Sequence, residues 1–489
     1  MNLTSKRLAT LFAVSVMAGC GSDTAVGPGG GGGATGPKAA ILTGNIVADR
    51  TLSADTVYTL SGFVKVRSGA TIHIPAGTKI VGDTLVNGSS LWILPGGKID
   101  AVGTAASPIV FTSARSAGNR KPGDWGGIII VGKAIANRGC PNAANASCVA
   151  TTLTEGPAGG VQNTAENYAG GTDSNDNSGT MRYVRVEFAG YAVQLDQELN
   201  SFSLYAVGRG TTLEYLEAMS GLDDSFEWFG GSVDGRYLVS YESGDDHFDW
   251  TEGYNGRNQF LIGYQTYKPT PLAGAGFASQ DPRGFEGDGC ENDKPGCPDY
   301  TTKPYSEPVF ANFTLVGTGP GVFIGVKDAN GSVIRRGSGG TIFNGILARW
   351  QGIGLDVRDA QTNTLRTLDS LIVTNVLFTE NGGGNFDPAG TNFGQATNFP
   401  ANEDGTMSTT GLFMNVPAAG TDPTGTTLDW SLSATSAART GGLTALPTVI
   451  TARVQSYFGG TIAGTTYRGA ADPAATTKWW AGWTNYARN

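Results

Sequence analysis

Hydrophobic and polar residues alternate in short runs along most of this chain, and glycine separates one run from the next. Phe63-Val64-Lys65-Val66, Thr71-Ile72-His73-Ile74, Leu91-Trp92-Ile93-Leu94, Ile109-Val110-Phe111 and Ile128-Ile129-Ile130-Val131 show the pattern. A period of two predicts strands, and the glycines predict tight turns. The pattern breaks over residues 135–180 and 266–306, which read as long insertions. After about Gly382 the chain becomes loop-rich.

The centre of the chain repeats itself. Asp223-Asp224-Ser225-Phe226-Glu227-Trp228 recurs 22 positions later as Asp245-Asp246-His247-Phe248-Asp249-Trp250, and Tyr215-Leu216 recurs as Tyr237-Leu238 at the same offset. Fixed self-similarity of this length marks a solenoid. Short strands with glycine turns point to an all-β fold, a right-handed parallel β-helix with long loop insertions. Adjacent coils lie about 4.8 Å apart. Phe226 and Trp228 are expected to point inward and to stack on Phe248 and Trp250. Glu227 then points outward beside Asp249, and Asp223, Asp224, Asp245 and Asp246 gather at the adjacent turn.

Composition narrows the choices. The 74 glycines in 489 residues are about twice the usual share, as a turn-rich solenoid requires. A net charge of −9 argues against nucleic acid or an anionic membrane surface as partner. His73 and His247 are the only histidines, which disfavours a His-rich metal centre or a Ser-His-Asp triad; His73 reads as structural. Of five cysteines, Cys140 and Cys148 form one local pair and Cys290 and Cys297 another. Two small disulfides and an oxidising compartment follow.

The termini carry their own signals. Lys6 and Arg7 precede an apolar run from Leu8 to Val16, too short to span a bilayer stably, so residues 1–19 read as a signal peptide. Met17-Ala18-Gly19-Cys20 resembles a bacterial lipobox; that resemblance implies lipidation of Cys20. Residues 20–40, with Gly29 to Gly33 in a run, read as a flexible tether. The β-helix is expected over 41–386. The segment 387–489 holds Trp479, Trp480 and Trp483, expected to cap the open end of the rod, with a sugar-stacking platform as the other reading.

Several motifs stand in one order: Gly123-Asp124-Trp125-Gly126-Gly127, Asp176-Asn177-Ser178-Gly179 leading into Arg182–Gly190, the paired Asp-Asp units, Arg283-Gly284-Phe285-Glu286-Gly287-Asp288 and Arg335-Arg336-Gly337-Ser338-Gly339-Gly340. Together they resemble a family of bacterial outer-membrane or surface lipoproteins built from parallel β-helix repeats. The resemblance implies the fold and an envelope location, on the periplasmic or the outer face; it implies no activity. Leu222-Asp223-Asp224 and Gly244-Asp245-Asp246 also resemble the paired acidic motifs of polygalacturonases. That resemblance implies carboxylates at the ~6.5–9.5 Å separation of inverting glycosidases. The Gly-His-Gly and Arg-Ile-Lys motifs of that family do not follow Trp250 here.

These readings converge on a lipid-anchored binding or scaffold module, for glycans or another envelope protein. The alternative is a polysaccharide-cleaving enzyme using Asp224, Asp245 and Asp246. Trp228, Trp250, Glu286 and Asp288 are the expected ligand contacts. Asp223, Asp224, Glu227, Asp245, Asp246 and Asp249 are the candidate ligands of a Ca²⁺ ion, because a hard cation takes clustered oxygens. Solvated turn carboxylates are the bland reading of the same cluster.

Overall fold

A computed structural model describes residues 37–138, 152–155, 168–194, 197–290, 296–322 and 329–489. Cys20, Cys140 and Cys148 lie outside the described residues. Among the described residues, the chain winds through two parallel sheets, one of ten strands and one of seventeen. The ten-stranded sheet is one flat face of the solenoid. The larger sheet folds lengthwise into two faces.

The fold line has a local cause. Thr212–Met219 and Asp234–Tyr241 pair Glu214 with Arg236 and Leu216 with Leu238, skipping the residue between. The skipped positions Tyr183, Tyr215, Tyr237, Phe260, Asn312, Asn344 and Asn375 all have φ between 50° and 62°. Each turns the strand through a left-handed residue, which costs a non-glycine residue roughly 1–2 kcal/mol. Stacking offsets that cost. The Tyr183–Tyr215 and Tyr215–Tyr237 ring centroids are 4.3 Å apart, and Tyr237–Phe260 are 5.1 Å apart.

The 22-residue repeat folds as a single coil. Phe226–Phe229 pairs in parallel with Phe248–Thr251, with Phe226 opposite Phe248, Glu227 opposite Asp249 and Trp228 opposite Trp250. Phe202, Phe226 and Phe248 form a stacked column inside the rod, with centroids 4.8 and 5.5 Å apart. Trp228 stacks on Tyr254 at 5.2 Å, and Trp250 lies over Phe310 at 4.9 Å.

Two boundaries differ from expectation. The first strand, Lys38–Leu42, already pairs with Thr56–Leu60, so the coils begin three residues inside the expected tether. The tryptophan-rich tail does not close the rod. Phe399 is buried in the main core at the last coils, with Phe386 and Phe393 packed beside it. The tail instead covers the outer surface of the folded sheet. Trp483 is 1% exposed and meets Tyr183 and Tyr215 edge-on at 5.7 and 6.1 Å. Trp430 meets Tyr264, and Asn489 donates to the Arg120 carbonyl. The outer side of this sheet is apolar, with Met219, Val239, Tyr241, Ile262, Tyr264 and Val316 all buried. Burying that surface favours a strap along the sheet over a cap on its end. In the second insertion, Cys290 and Cys297 form the expected disulfide, with Cα atoms 5.4 Å apart.

Candidate acidic binding site

The flat face presents three carboxylates on consecutive coils. Glu227 lies beside Asp249, and Asp249 beside Glu286. Each sits between two inward-pointing residues of its strand, so alternation turns it outward. At the turn before each strand, side chains reach one coil onward. Asn200 Oδ1 accepts from the Asp224 amide at 3.1 Å, Asp224 Oδ1 from the Asp246 amide at 2.7 Å, and Asp246 Oδ1 from the Arg283 amide. This ladder satisfies backbone donors at the corner.

The two rows meet. Asp223, Asp224 and Asp245 form one group, Asp224, Glu227 and Asp249 a second, and Asp246, Asp249 and Glu286 a third. In each group, one oxygen per residue lies within 4.8 Å of the others. Repulsion and desolvation both penalise the ionised forms. Burial, then Asp245, pushes Asp223 up; burial, then Asp223, pushes Asp224 up. Burial, then Asp249, does the same to Glu227. Asp246 is raised by burial and by Asp245 against the pull of Arg283. Asp245 is pushed up to about 7, chiefly by burial, with Arg283 opposing.

Arginines stand at both ends of the acidic row: Arg138, paired with Glu252, lines a pocket with Glu227 and Asp249, and Arg283 and Arg335 stand at the Glu286 end. Arg283 contacts Glu286 at 2.6 Å and Asp246 at 3.3 Å, and Arg335 contacts Glu286 at 2.9 Å. Burial pulls Arg283 down, but Asp246 and Glu286 outweigh it and hold the guanidinium firmly charged. Among the described residues, no cation lies within ion-pair distance of Asp223, Asp224 or Glu227; Asn200 Nδ2 donates to Glu227 at 2.6 Å.

The structure redistributes the expected roles. Trp228 and Trp250 are fully buried in the rod and offer no ring face to a ligand, because alternation turns them inward together with the phenylalanine column. Asp288 is 2% exposed and held by Arg335 at 2.9 Å and Arg336 at 2.6 Å, an internal ion pair in place of a ligand contact. Glu286 is on the acidic face but is neutralised by two arginines. Asp224 and Asp246 are 6% and 1% exposed and accept coil-to-coil hydrogen bonds, so two of the three candidate catalytic residues serve the corner. His247 is buried in the core, its Nδ1 against Ser240 Oγ at 2.5 Å, and burial pushes it down to about 3.

Three participants are absent from the sequence reading. Asn200 stands 24 positions before Asp224 and could have been found by extending the repeat upward. Glu155 and Glu198 add to the negative potential at Asp223, and neither carries a repeat signal. Chemically, the site is a set of oxygen donors with an excess of negative charge, suited to a hard cation.

A parallel β-helix with a carboxylate-lined flat face defines the class of this protein. A family model described as a pectate-lyase-like β-helix domain matches residues 44–417. The chain belongs to that family. No curated protein and no solved structure matches it.

Proposed function

We propose that the protein is a lipid-anchored component of a bacterial cell envelope that binds polysaccharide on its acidic face, with Ca²⁺ as the ion this face takes up. The observation that carries the reading is the overlap of three carboxylate groups on the flat face, in each of which adjacent coils bring carboxylates within ligand reach of one another. Ca²⁺ takes six to eight oxygen ligands, and a polysaccharide supplies hydroxyl or carboxylate oxygens to complete such a shell. The family description, pectate-lyase-like, points to polysaccharide as the class of ligand. The lipobox-like Met17-Ala18-Gly19-Cys20 and the glycine tether suit an anchor that holds the rod just off a membrane.

The test is retention of the purified protein on a panel of acidic and neutral polysaccharides, with calcium and with EDTA. Calcium-dependent retention that is lost in Glu227→Gln/Asp249→Asn supports the reading, and indifference to both removes it. Cys20→Ser is expected to move the protein from the membrane fraction to the soluble one.

A cleaving role is favoured by the setting of Asp245, whose carboxyl burial pushes up to about 7, the direction a general acid requires. New reducing ends or unsaturated products, abolished by Asp245→Asn, would establish it.

A further inference from the structure

A second site of opposite charge lies on the outer face of the folded sheet. Arg209 precedes the strand Thr212–Met219. Its guanidinium is about two-thirds buried, its nearest carboxylate oxygen is Asp234 Oδ2 at 3.9 Å, and its buried Nε has no hydrogen-bond partner. Asp234 is already committed. Arg257 takes both of its oxygens, Nε to Oδ1 at 2.9 Å and Nη2 to Oδ2 at 2.7 Å.

The charge around Arg209 is therefore in surplus. On these adjoining strands Arg182, Arg209, Arg236 and Arg257 face two carboxylates, Glu214 and Asp234. The chain as a whole carries −9. Burial, then Arg257, pulls Arg209 below the usual arginine range, with Asp234 opposing. A buried guanidinium Nε without an acceptor is costly unless an anion meets it.

Space for that anion is present. A pocket of about 290 Å³ is lined by Arg209, Thr211, Thr212, Asp234, Ser456 and Phe458. Thr211, Thr212 and Ser456 bring hydroxyls to the lining, and a hydroxyl can donate to an oxyanion. Phe458 forms the apolar wall, and the Arg236 guanidinium sits over its ring at 4.3 Å. The volume falls below the roughly 300–1,000 Å³ of pockets that enclose drug-sized ligands, and suits one sugar ring or a small anion.

We propose that Arg209, with Thr212 and Ser456, forms an oxyanion-binding site that takes the carboxylate of an acidic sugar or inorganic phosphate. In its saccharide form the proposal rests on the polysaccharide reading above, but it uses a different face and no residue of the acidic site. A guanidinium presents paired donors that match a carboxylate or phosphate.

The experiment is isothermal titration of the full chain with galacturonate oligomers, glucose oligomers of equal length and inorganic phosphate. We expect galacturonate or phosphate to bind and glucose not to. Arg209→Gln should weaken binding at least tenfold, Arg209→Lys less, and Glu227→Gln/Asp249→Asn should leave this term in place. Phosphate binding alone would identify a phosphate site, and galacturonate binding alone a saccharide site. Unchanged affinity in Arg209→Gln, or no anion binding at all, overturns the proposal. Binding lost only in the Glu227/Asp249 variant overturns it while sustaining the acidic-face reading. Melting curves of both Arg209 variants separate loss of the site from loss of the fold.

Discussion

Gly287 stands in register with Trp250 across one coil boundary, and its missing side chain makes room for the indole. A Cβ at Gly287 would lie 2.2 Å from Trp250 Cζ2. The phenylalanine column and its flanking tryptophans fill the rod so completely at this level that one methyl group has no place. Gly287→Ala is expected to cost about 1–3 kcal/mol, the usual range for overpacking a dense core. Chemical denaturation checks it. Trp250→Phe in the same chain should restore part of the loss, because the smaller ring vacates the contested volume. An additive double mutant would show that the two residues do not share it.

That relationship also shows what a sequence can display. The inward pair Phe226/Trp228 and its copy Phe248/Trp250 were readable because the repeat length and the two-residue alternation are properties of neighbouring positions. Glu227 beside Asp249 followed from the same two periods. The exchange of Asp288 from ligand contact to ion pair depends on Arg335, 47 positions away, at a spacing set by an insertion. The strap depends on Trp483 meeting Tyr183, 300 positions earlier. No local period encodes such contacts. Trp228 and Trp250 line the core and not a groove, and aromatic residues beside carboxylates look alike in a sequence in either setting. The fold line was hidden too, since tyrosine at a left-handed position carries no glycine signature.

The tail makes a prediction of its own. Trp483 is 1% exposed, its carbonyl accepts from Arg185 Nη1 at 3.0 Å, and the next turn places the Asn485 amide on Glu217. Trp483→Ala is expected to cost about 3–5 kcal/mol and to expose the apolar outer sheet. Binding of a hydrophobic dye and early proteolysis near the C-terminus report the release. Wild-type protease resistance in the variant would mean that the strap is held elsewhere.

Asp245 couples stability to pH. Its carboxyl sits at about 7 in the folded chain against about 3.9 in an unfolded one. The folded state therefore holds the proton more tightly. Its contribution is fully present below about pH 4 and is lost as pH rises through 7. Asp245→Asn removes the titration. With EDTA present, the variant should match wild type near pH 4 and exceed it at pH 8, by at most about 4 kcal/mol. His247, pushed down to about 3, tilts the wild-type profile the other way between pH 3 and 6.5. That tilt is common to both proteins, so their difference reports Asp245 together with the relief its removal gives Asp223 and Asp246. A variant less stable than wild type at pH 8 would contradict the sign.

Calcium should act on the same charges from the other direction. At neutral pH the acidic face either holds protons against the solution or ionises at the cost of mutual repulsion, and a divalent cation among Asp223, Asp224, Glu227, Asp245 and Asp249 relieves both. A ligand that binds only the folded chain adds about 2.7 kcal/mol at a hundred times its dissociation constant, so added calcium should raise the melting temperature and EDTA should lower it. The increment should shrink as pH falls through about 7, where Asp245 takes up its proton and protons compete for the same oxygens. Glu227→Gln/Asp249→Asn should abolish it and raise the melting temperature of the metal-free protein, since two of the repelling charges are gone. Asp288→Asn should not imitate that behaviour. Its carboxylate is paired with Arg335 and Arg336, so its loss takes a buried acceptor from both guanidinia and destabilises the chain with and without calcium. Melting curves that coincide in calcium and EDTA across this pH range would leave the acidic row as a charged surface without a bound ion.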